Sequence, residues 1–224
     1  MVFLSNVNLI AVDCIHPDKA VYALEKSMQE IKFNRVLLLT DTPVQHTDIE
    51  SITINKLSSG EEVSKFILSQ TPKYIDDSCE FIMFVQADGF IMNPLAWVDE
   101  FLEYDYIGAP WKPHPHHHWP PFPNITNETR VGNGGFSIRS AKLCQSVTDI
   151  FKKYEARVDA GILAPAYHPE DCFICRTLGS LLRSKGFTFA PVELAEKFSC
   201  ENKVYSGQFG FHGKETISIN KWNL

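Results

Sequence analysis

Short runs of apolar residues alternate with amphipathic helical segments in the first part of the chain, and this alternation constrains the fold most strongly. Residues 8–15 and 35–40 are compact apolar runs of the kind that form buried strands. Between them, residues 18–31 repeat apolar side chains at helical spacing. A strand, a helix and a second strand of this kind form a β-α-β unit, whose uninterrupted apolar strands favour a parallel sheet covered on both faces.

The alternation continues along the chain. Residues 51–54 and 61–70 predict a further strand and helix, and residues 80–85 (EFIMFV) predict the most hydrophobic strand. The rest is predicted to contain helices over residues 97–104, 141–156 and 168–185, a glycine-rich turn and strand over 131–140, a strand over 187–191, and a proline-rich loop over 107–123. With 224 residues, the chain is predicted to form one α/β domain, residues 1–224, with a mixed central sheet flanked by helices.

Charge and cysteine content narrow the classes of partner and the location. The formal net charge is −6 and the basic residues form no cluster, so we expect no nucleic-acid partner. The six cysteines are scattered rather than set in a dense disulfide framework, which favours a reducing compartment. No apolar run approaches the ~20 residues that a membrane span needs, and the chain does not begin with a basic segment typical of a signal peptide. We therefore expect a cytoplasmic protein without a transmembrane segment.

Acidic residues follow three of the predicted strands, namely Asp13, Asp41 and Asp88. Ligands of open α/β sheets bind at the carboxyl ends of the strands, which makes these acids candidates for a binding site. The first glycine is Gly60, so the glycine loop that holds phosphates after the first strand of many nucleotide-binding proteins is absent from that place. A divalent cation, Mg²⁺ or Mn²⁺, is the obvious substitute for neutralising a diphosphate, with Asp88 well placed as its ligand. Each acid also has a simpler interpretation, which is to form or cap the turn after its strand.

Four segments taken together resemble a known group of enzymes. They are Gln86-Ala87-Asp88 after the hydrophobic strand, the GNGGFSIR segment at residues 132–139, Pro169-Glu170-Asp171, and the FGFHG segment at residues 209–213. In this order they resemble the GT-A-type glycosyltransferases, and more narrowly a little-characterised bacterial and large-virus family of that fold. The resemblance covers nearly the whole chain and implies a Rossmann-like nucleotide-diphospho-sugar transferase domain.

The resemblance implies a metal site at the end of the hydrophobic strand. GT-A enzymes usually carry Asp-X-Asp there and bind the metal with the last aspartate, whereas this chain has Gln86 and Ala87 before Asp88. Only Asp88 therefore carries over as a metal ligand, although all three residues are implied to belong to the donor-binding site. His212 resembles a C-terminal histidine that supplies another ligand in many such folds, and imidazole suits Mn²⁺ better than Mg²⁺. The alternative for His212 is a histidine in a glycine turn without a ligand.

The acidic pair Glu170 and Asp171 resembles the motif from which inverting GT-A enzymes draw their catalytic base. The resemblance implies that Asp171 takes the proton of an acceptor hydroxyl as that oxygen attacks the anomeric carbon from the face opposite the diphosphate. Glu170 is implied to orient the acceptor or the glycine-rich turn. The same two acids could instead serve only to stabilise the N-terminus of a helix electrostatically.

The glycine-rich turn and the ends of the first two strands complete the implied donor site. Glycines allow the backbone to approach a sugar closely, and the strand ends are implied to contact the base and ribose. Each of these positions has a ligand-free turn as its alternative. The implied set is Asn133, Gly134, Gly135, Val12, Asp13, Thr40 and Asp41.

The sequence hypothesis is therefore a metal-dependent glycosyltransferase. It would move a hexose or deoxyhexose from a nucleoside diphosphate sugar, with a UDP-sugar favoured, to a hydroxyl of a saccharide or glycan acceptor, with Asp171 as base and inversion at the anomeric carbon. Two alternatives stay open. A degenerate sugar-binding or scaffold domain would explain the missing first acid of the metal motif, and a nucleotidyltransferase shares the fold, although its N-terminal glycine loop is missing here.

Two further groups of potential metal ligands receive a different interpretation. The histidine tract at residues 114–118 lies in a proline-rich segment without defined ligand geometry, so we interpret it as part of an acceptor-side loop. Trp111 and Trp119 in that loop are available to stack on sugar faces. Cys172 and Cys175 are spaced like half of a zinc site, but no second pair exists, so we interpret both as core cysteines.

Overall fold

A computed structural model describes residues 1–112, 125–201 and 203–213 of the chain. The strands are β1 (Val2–Val12), β2 (Ile31–Thr40), β3 (Glu50–Thr53), β4 (Phe81–Val85), β5 (Tyr106–Gly108), β6 (Ser137–Ser140), β7 (Ser199–Glu201) and β8 (Gly210–His212). The helices are α1 (Pro17–Met28), α2 (Gly60–Gln70), α3 (Ala141–Asp159), α4 (Glu170–Cys172), α5 (Gly179–Ser184) and α6 (Val192–Phe198). A single π-helical turn (Phe173–Thr177) joins α4 to α5.

Six strands form the central sheet in the order β3-β2-β1-β4-β6-β5. The first four of these positions hold parallel strands, with Val12 of β1 opposite Leu39 of β2 and Ala11 of β1 opposite Val85 of β4. Strand β6 is antiparallel to β4, and β5 is antiparallel to β6. A separate two-stranded sheet pairs β7 with β8. The prediction of an α/β fold with a mixed central sheet flanked by helices is confirmed, and this arrangement is compatible with a Rossmann-like domain.

The two faces of the sheet pack against different helices, because successive side chains of a strand point to opposite faces. Leu9 and Met83 belong to a buried cluster that includes residues of α1 and α6. Ile10 and Ile82, one residue away along each strand, pack on the other face with Cys144 of α3 and with residues of α2. Burial of these apolar side chains on both faces explains why the strands read as continuous apolar runs.

Three of the predicted helices and strands differ from the structure. Residues 97–104 form no α-helix, because Trp97 and Val98 are extended and separate two short 3₁₀ turns. The single helix predicted over 168–185 is divided into α4, the π-helical turn and α5. Residues 187–191 form no strand; one bridge joins Phe189 to Tyr106, and the Thr188 N–H donates to the carboxylate of Asp105 at 2.8 Å instead of to a strand partner.

The proline-rich loop begins later than predicted, since β5 occupies residues 106–108. Most of the loop, including the histidine tract and Trp119, lies outside the described residues, whereas Trp111 lies within them. Among the helices of the described segments, none combines the length and the apolar character that crossing a bilayer requires.

Candidate functional site

A cleft of about 1200 Å³ opens beside the carboxyl end of β4. Parallel strands β1, β2 and β4 all end at this edge of the sheet, which is where α/β proteins bind ligands. Six of the residues predicted to bind the donor or the metal or to act as the catalytic pair line the cleft: Gln86, Asn133, Gly135, Glu170, Asp171 and His212. The structure therefore brings together residues from four segments that are far apart in the chain.

Asp88 and His212 lie side by side at one end of this group. Gln86 and Gly89 exchange two backbone hydrogen bonds of 3.0 Å, which close a tight turn directly after β4. The Asp88 carbonyl accepts a hydrogen bond of 2.8 Å from the Gly213 N–H, which ties this turn to the end of β8. As a result, Asp88 Oδ1 lies 3.7 Å from His212 Nε2.

The other ring nitrogen of His212 donates to the Glu201 carboxylate, whose Oε1 also accepts from the neighbouring Asn133 amide. Nδ1 lies 3.2 Å from Glu201 Oε1 and 3.1 Å from Asn133 Nδ2, while Nε2 lies 3.1 Å from Gln86 Oε1. Burial alone would lower the pKa of His212, but the hydrogen bond to Glu201 and the charges of nearby carboxylates outweigh it and raise the pKa. Glu201 is a site residue that the sequence analysis missed, since nothing in its local sequence distinguishes it from a surface acid.

The donor atoms at this position suit a divalent cation of the Mn²⁺ type. A carboxylate oxygen and an imidazole nitrogen converge there, and a second carboxylate, on Glu201, contacts the far side of the imidazole. Metal-binding histidines commonly donate their other nitrogen to a carboxylate in this way, which fixes the orientation of the ring. Within the described segments no cluster of three or more His, Cys, Asp or Glu side chains is arranged to hold a metal, so Asp88 and His212 would act as a pair.

The glycine-rich turn connects this pair to the acidic motif. A Cβ atom on Gly135 would lie 2.0 Å from His212 Nε2, and one on Gly134 would lie 2.6 Å from Glu170 Oε1. Only glycine fits at both positions without displacing these side chains. The Gly134 N–H donates a hydrogen bond of 2.9 Å to Asp171 Oδ2. Two neighbouring glycines thus touch the acidic motif on one side and the histidine on the other.

Asn133 carries a buried acceptor at the lining of the cleft. The side chain is 3% exposed, and its Nδ2 donates to Glu201 Oε1 at 2.8 Å. Because a carboxylate only accepts hydrogen bonds, this contact fixes which end of the amide faces Glu201. Asn133 Oδ1 is buried and has no hydrogen-bond partner among the described residues. A buried acceptor without a partner next to a cleft is a feature that a ligand hydroxyl would satisfy.

The acidic motif is buried and its two carboxyl groups have different partners. Glu170 Oε1 accepts a hydrogen bond of 2.9 Å from Arg139 Nη2, and both side chains are at least nine-tenths buried. Asp171 accepts from the Gly134 and Cys172 N–H groups. Burial, reinforced by the negative charge of Glu170, raises the pKa of Asp171 to about 7. A carboxylate with this pKa can accept a proton near neutral pH, as a general base must.

The backbone around the motif is fixed by α2. Ser64 Oγ accepts a hydrogen bond of 3.2 Å from the Glu170 N–H and lies 2.8 Å from His168 Nδ1. Both Ser64 and His168 line the cleft, and neither was singled out from the sequence. Their contact explains how the acidic motif keeps its position relative to the sheet.

The residues predicted at the ends of β1 and β2 lie at the same sheet edge but not among those that line the cleft. Asp13 Oδ1 accepts from the N–H groups of Ile15 and His16, both at 2.7 Å, as a turn-forming aspartate does. Asp41 Oδ1 is buried and has no hydrogen-bond partner among the described residues. Val12, Thr40, Ala87, Asp88 and Gly134 are also absent from the cleft lining.

The chain belongs to the family described as "Protein of unknown function (DUF5672)", whose model matches residues 46–212. The matched segment contains every candidate site residue from Gln86 to His212 and begins after Asp41. No curated protein sequence matches the chain.

Proposed function

We propose that this chain is a metal-dependent GT-A-type glycosyltransferase. It transfers a hexose or deoxyhexose from a nucleoside diphosphate sugar, with a UDP-sugar favoured, to a hydroxyl of a glycan acceptor. One observation carries the proposal: neighbouring glycines place the Asp171 carboxyl and the His212 imidazole on one cleft, with Gly134 bonded to Asp171 and Gly135 packed on His212. An inverting, metal-dependent sugar-nucleotide transferase needs a proton acceptor and a metal ligand on the same cleft, and these are the roles that we propose for the two side chains.

The order of the central sheet supports the proposal. Four parallel strands are followed by antiparallel β6, so that the end of β4 and the start of the glycine-rich turn meet at one edge. This arrangement lets a single ligand contact the residues after β4 and those before β6. The divalent cation would be held by Asp88 and His212, and its chemistry is to offset the charge that develops on the diphosphate leaving group.

Asp171 is the proposed catalytic base. In the reaction, the acceptor O–H proton passes to the Asp171 carboxylate, the acceptor oxygen bonds to the anomeric carbon, and the bond from that carbon to the diphosphate breaks with inversion. The two N–H donors on Asp171 orient its oxygens, and Glu170 is held as the partner of Arg139. Asn133 Oδ1 is proposed to accept a hydrogen bond from a donor-sugar hydroxyl.

Asp41 is the better supported of the two acids proposed for the nucleoside. Its Oδ1 has no hydrogen-bond partner among the described residues, and we propose that it accepts one from a ribose hydroxyl or a uracil N–H. The carboxylate of Asp13 already satisfies two backbone N–H groups, which favours the turn-forming interpretation for that residue. All six cysteines are free, which fits the proposed cytoplasmic location.

A thermal-shift experiment tests the donor site. The melting temperature is measured with UDP, GDP, TDP or CMP, each with and without Mn²⁺, because a ligand that binds only the folded state raises it. We expect stabilisation by one nucleoside diphosphate only when Mn²⁺ is present. Asp88→Ala should abolish the shift, while the matched control Asp48→Ala, in an exposed loop, should retain it. If no nucleotide stabilises the wild type, the donor site is refuted and the non-catalytic alternative is preferred.

A further inference from the structure

One part of the cleft lining has no role in the mechanism above. This part consists of Trp111, Lys112 and Arg176, and we refer to these three residues as the basic wall. Arg176 follows the proposed base by five residues, on the segment that continues α4. A group that removes a proton from the acceptor must touch the acceptor, so the residues beside that base are the ones an acceptor reaches.

The π-helical turn directs Arg176 toward the cleft. In a regular α-helix, residues five apart point about 140° away from each other. Here the Leu178 N–H donates to the Phe173 carbonyl, five residues back, at 2.9 Å, which widens the turn that contains Arg176. Both Asp171 and Arg176 consequently line the same cleft. Widened turns of this kind occur frequently at functional sites.

Arg176 is buried although it lines the cleft. The residue is 6% exposed, its Nη1 donates to Cys172 Sγ at 3.6 Å, and its guanidinium carbon lies 6.0 Å from the centre of the Trp111 ring. The guanidinium is thus in contact with a sulfur atom and lies at the outer limit of cation–π distance from the indole. A guanidinium keeps its charge throughout the physiological pH range and matches a carboxylate or phosphate with two parallel N–H donors.

Trp111 is held in place by its neighbours. Its backbone N–H donates to the Arg130 carbonyl at 2.7 Å, and Arg130 Nε donates back to the Trp111 carbonyl at 3.2 Å. A Cβ atom on Gly132 would lie 2.4 Å from the Trp111 ring, so this glycine lets the indole pack directly on the glycine-rich turn. The basic wall therefore joins a rigid aromatic surface to a guanidinium and, at the exposed end, the Lys112 ammonium.

Two other acids that line the cleft have partners outside the basic wall. Glu170 pairs with Arg139, and Glu201 contacts His212 and Asn133. These carboxylates therefore serve the proposed base and metal.

We propose that the basic wall binds an acceptor sugar that carries an anionic group, a carboxylate or a phosphate monoester, on or next to the ring that is glycosylated. Trp111 packs against the sugar ring, while Arg176 and Lys112 bind the anion. This inference rests on the proposed function, because the bound sugar is an acceptor only if the protein is a transferase. Binding of the anionic sugar itself can be measured without turnover.

Binding of matched glycosides tests the inference. Saturation-transfer NMR titrations compare methyl β-glucuronide with methyl β-glucoside, and glucose 6-phosphate with glucose, each with and without UDP and Mn²⁺. We expect at least one anionic member to bind about tenfold or more tightly than its neutral partner, as a charge-assisted hydrogen-bonded pair does. The preferred pair distinguishes a carboxylate from a phosphate ligand.

Substitutions test whether the basic wall is responsible for the tighter binding of the anionic ligand. Arg176→Gln should reduce it about tenfold or more, and Lys112→Gln, at an exposed position that the fold does not need, should reduce it less. Arg157→Gln, on the exposed surface of α3, makes the same chemical change outside the cleft and should leave it intact. A cooperative thermal unfolding transition close to that of the wild type shows that Arg176→Gln is folded, whether or not UDP binds; if that variant does not fold, Lys112→Gln decides.

The possible outcomes separate this inference from the proposed function. If UDP and Mn²⁺ bind but charged and neutral glycosides bind equally, or no glycoside binds, the anion site is refuted and the donor site stands. If UDP does not bind but the anionic preference exists and is lost in the basic-wall variants, the anion site stands and the transferase proposal fails. A preference unchanged in both variants would also overturn the inference.

Discussion

Replacing Asp171 with asparagine is expected to stabilise the protein at alkaline pH while removing its proposed activity. Burial and the charge of Glu170 raise the pKa of Asp171 from 3.8 to about 7. Between these values the folded chain keeps the proton that the unfolded chain has released. The free energy of unfolding therefore falls as pH rises through this window, by about 1.4 kcal/mol per pH unit, and levels off above pH 7. At pH 8 the buried ionised carboxyl costs about 4 kcal/mol relative to the unfolded chain.

An asparagine side chain would carry no such cost but would introduce another. The carboxyl of Asp171 accepts from two backbone N–H groups, those of Gly134 and Cys172. An amide has only one oxygen, so its NH₂ group must face one of these donors, at a cost of about 1–3 kcal/mol. Asp171→Asn should therefore be about as stable as wild type at pH 5 and about 1–3 kcal/mol more stable at pH 8.

Urea unfolding followed by tryptophan fluorescence at pH 5, 6, 7 and 8 measures this difference directly. The control is Asp149→Asn, because Asp149 lies exposed on α3 beside Lys152. The stability of the Asp171 variant relative to wild type should rise by about 3 kcal/mol from pH 5 to pH 8, and that of the control should not change. A difference that is constant across this range would refute the account of Asp171 as a buried acid with a raised pKa.

Three further outcomes are expected. Gly135→Ala places a methyl group 2.0 Å from His212 Nε2, so it should lower stability by about 1–3 kcal/mol and abolish Mn²⁺-dependent UDP binding in a thermal-shift assay; unchanged binding would contradict the close packing. Glu201→Gln should weaken Mn²⁺ binding about 10–100-fold in calorimetric titrations with UDP, and equal affinity would show that this carboxylate does not orient the histidine. Arg139→Met leaves Glu170 buried without its partner and should destabilise the fold by about 3–5 kcal/mol in urea, whereas adding Glu170→Gln should recover much of that loss; no recovery would refute the pairing.

The sequence predicted the sheet better than the segments around it. Uninterrupted apolar runs identified β1, β2 and β4, since strands buried on both faces leave little room for polar residues. The short edge strand β3 was predicted from the alternation of strands and helices, and none of its residues is buried. Residues 168–185 were predicted as one helix because proline and acidic residues in the first turn indicate a helix N-terminus, and these signals carry no information about a π-helical turn farther along. Residues 187–191 have the composition of a strand, but the Asp105 side chain takes a backbone donor that a neighbouring strand would otherwise bind.

Within the candidate site, some residues could be predicted from their neighbours in the sequence, whereas others could be identified only from their contacts in the folded chain. Asp88 follows a strongly apolar segment, and His212 lies in a short segment between Gly210 and Gly213. Each can therefore be recognised from the sequence alone. Glu201 reaches His212 only because β7 pairs with β8. Arg139 is recognisable in the sequence as a charged residue inside an apolar strand, and such a residue is rarely buried without a partner. Its partner, Glu170, could not be identified without the fold.

Hydrolysis of sugar nucleotides in the absence of an acceptor tests the central claim most directly. A panel of UDP-, GDP- and TDP-sugars is incubated with the protein and Mn²⁺, and ¹H NMR records nucleoside diphosphate release and the configuration of the first sugar anomer formed. We expect slow hydrolysis of one donor with inversion, slowed about 10²–10⁴-fold by Asp171→Asn and unaffected by Asp149→Asn. Failure to hydrolyse any donor, or equal rates with and without the Asp171 carboxyl, would contradict the proposed transferase.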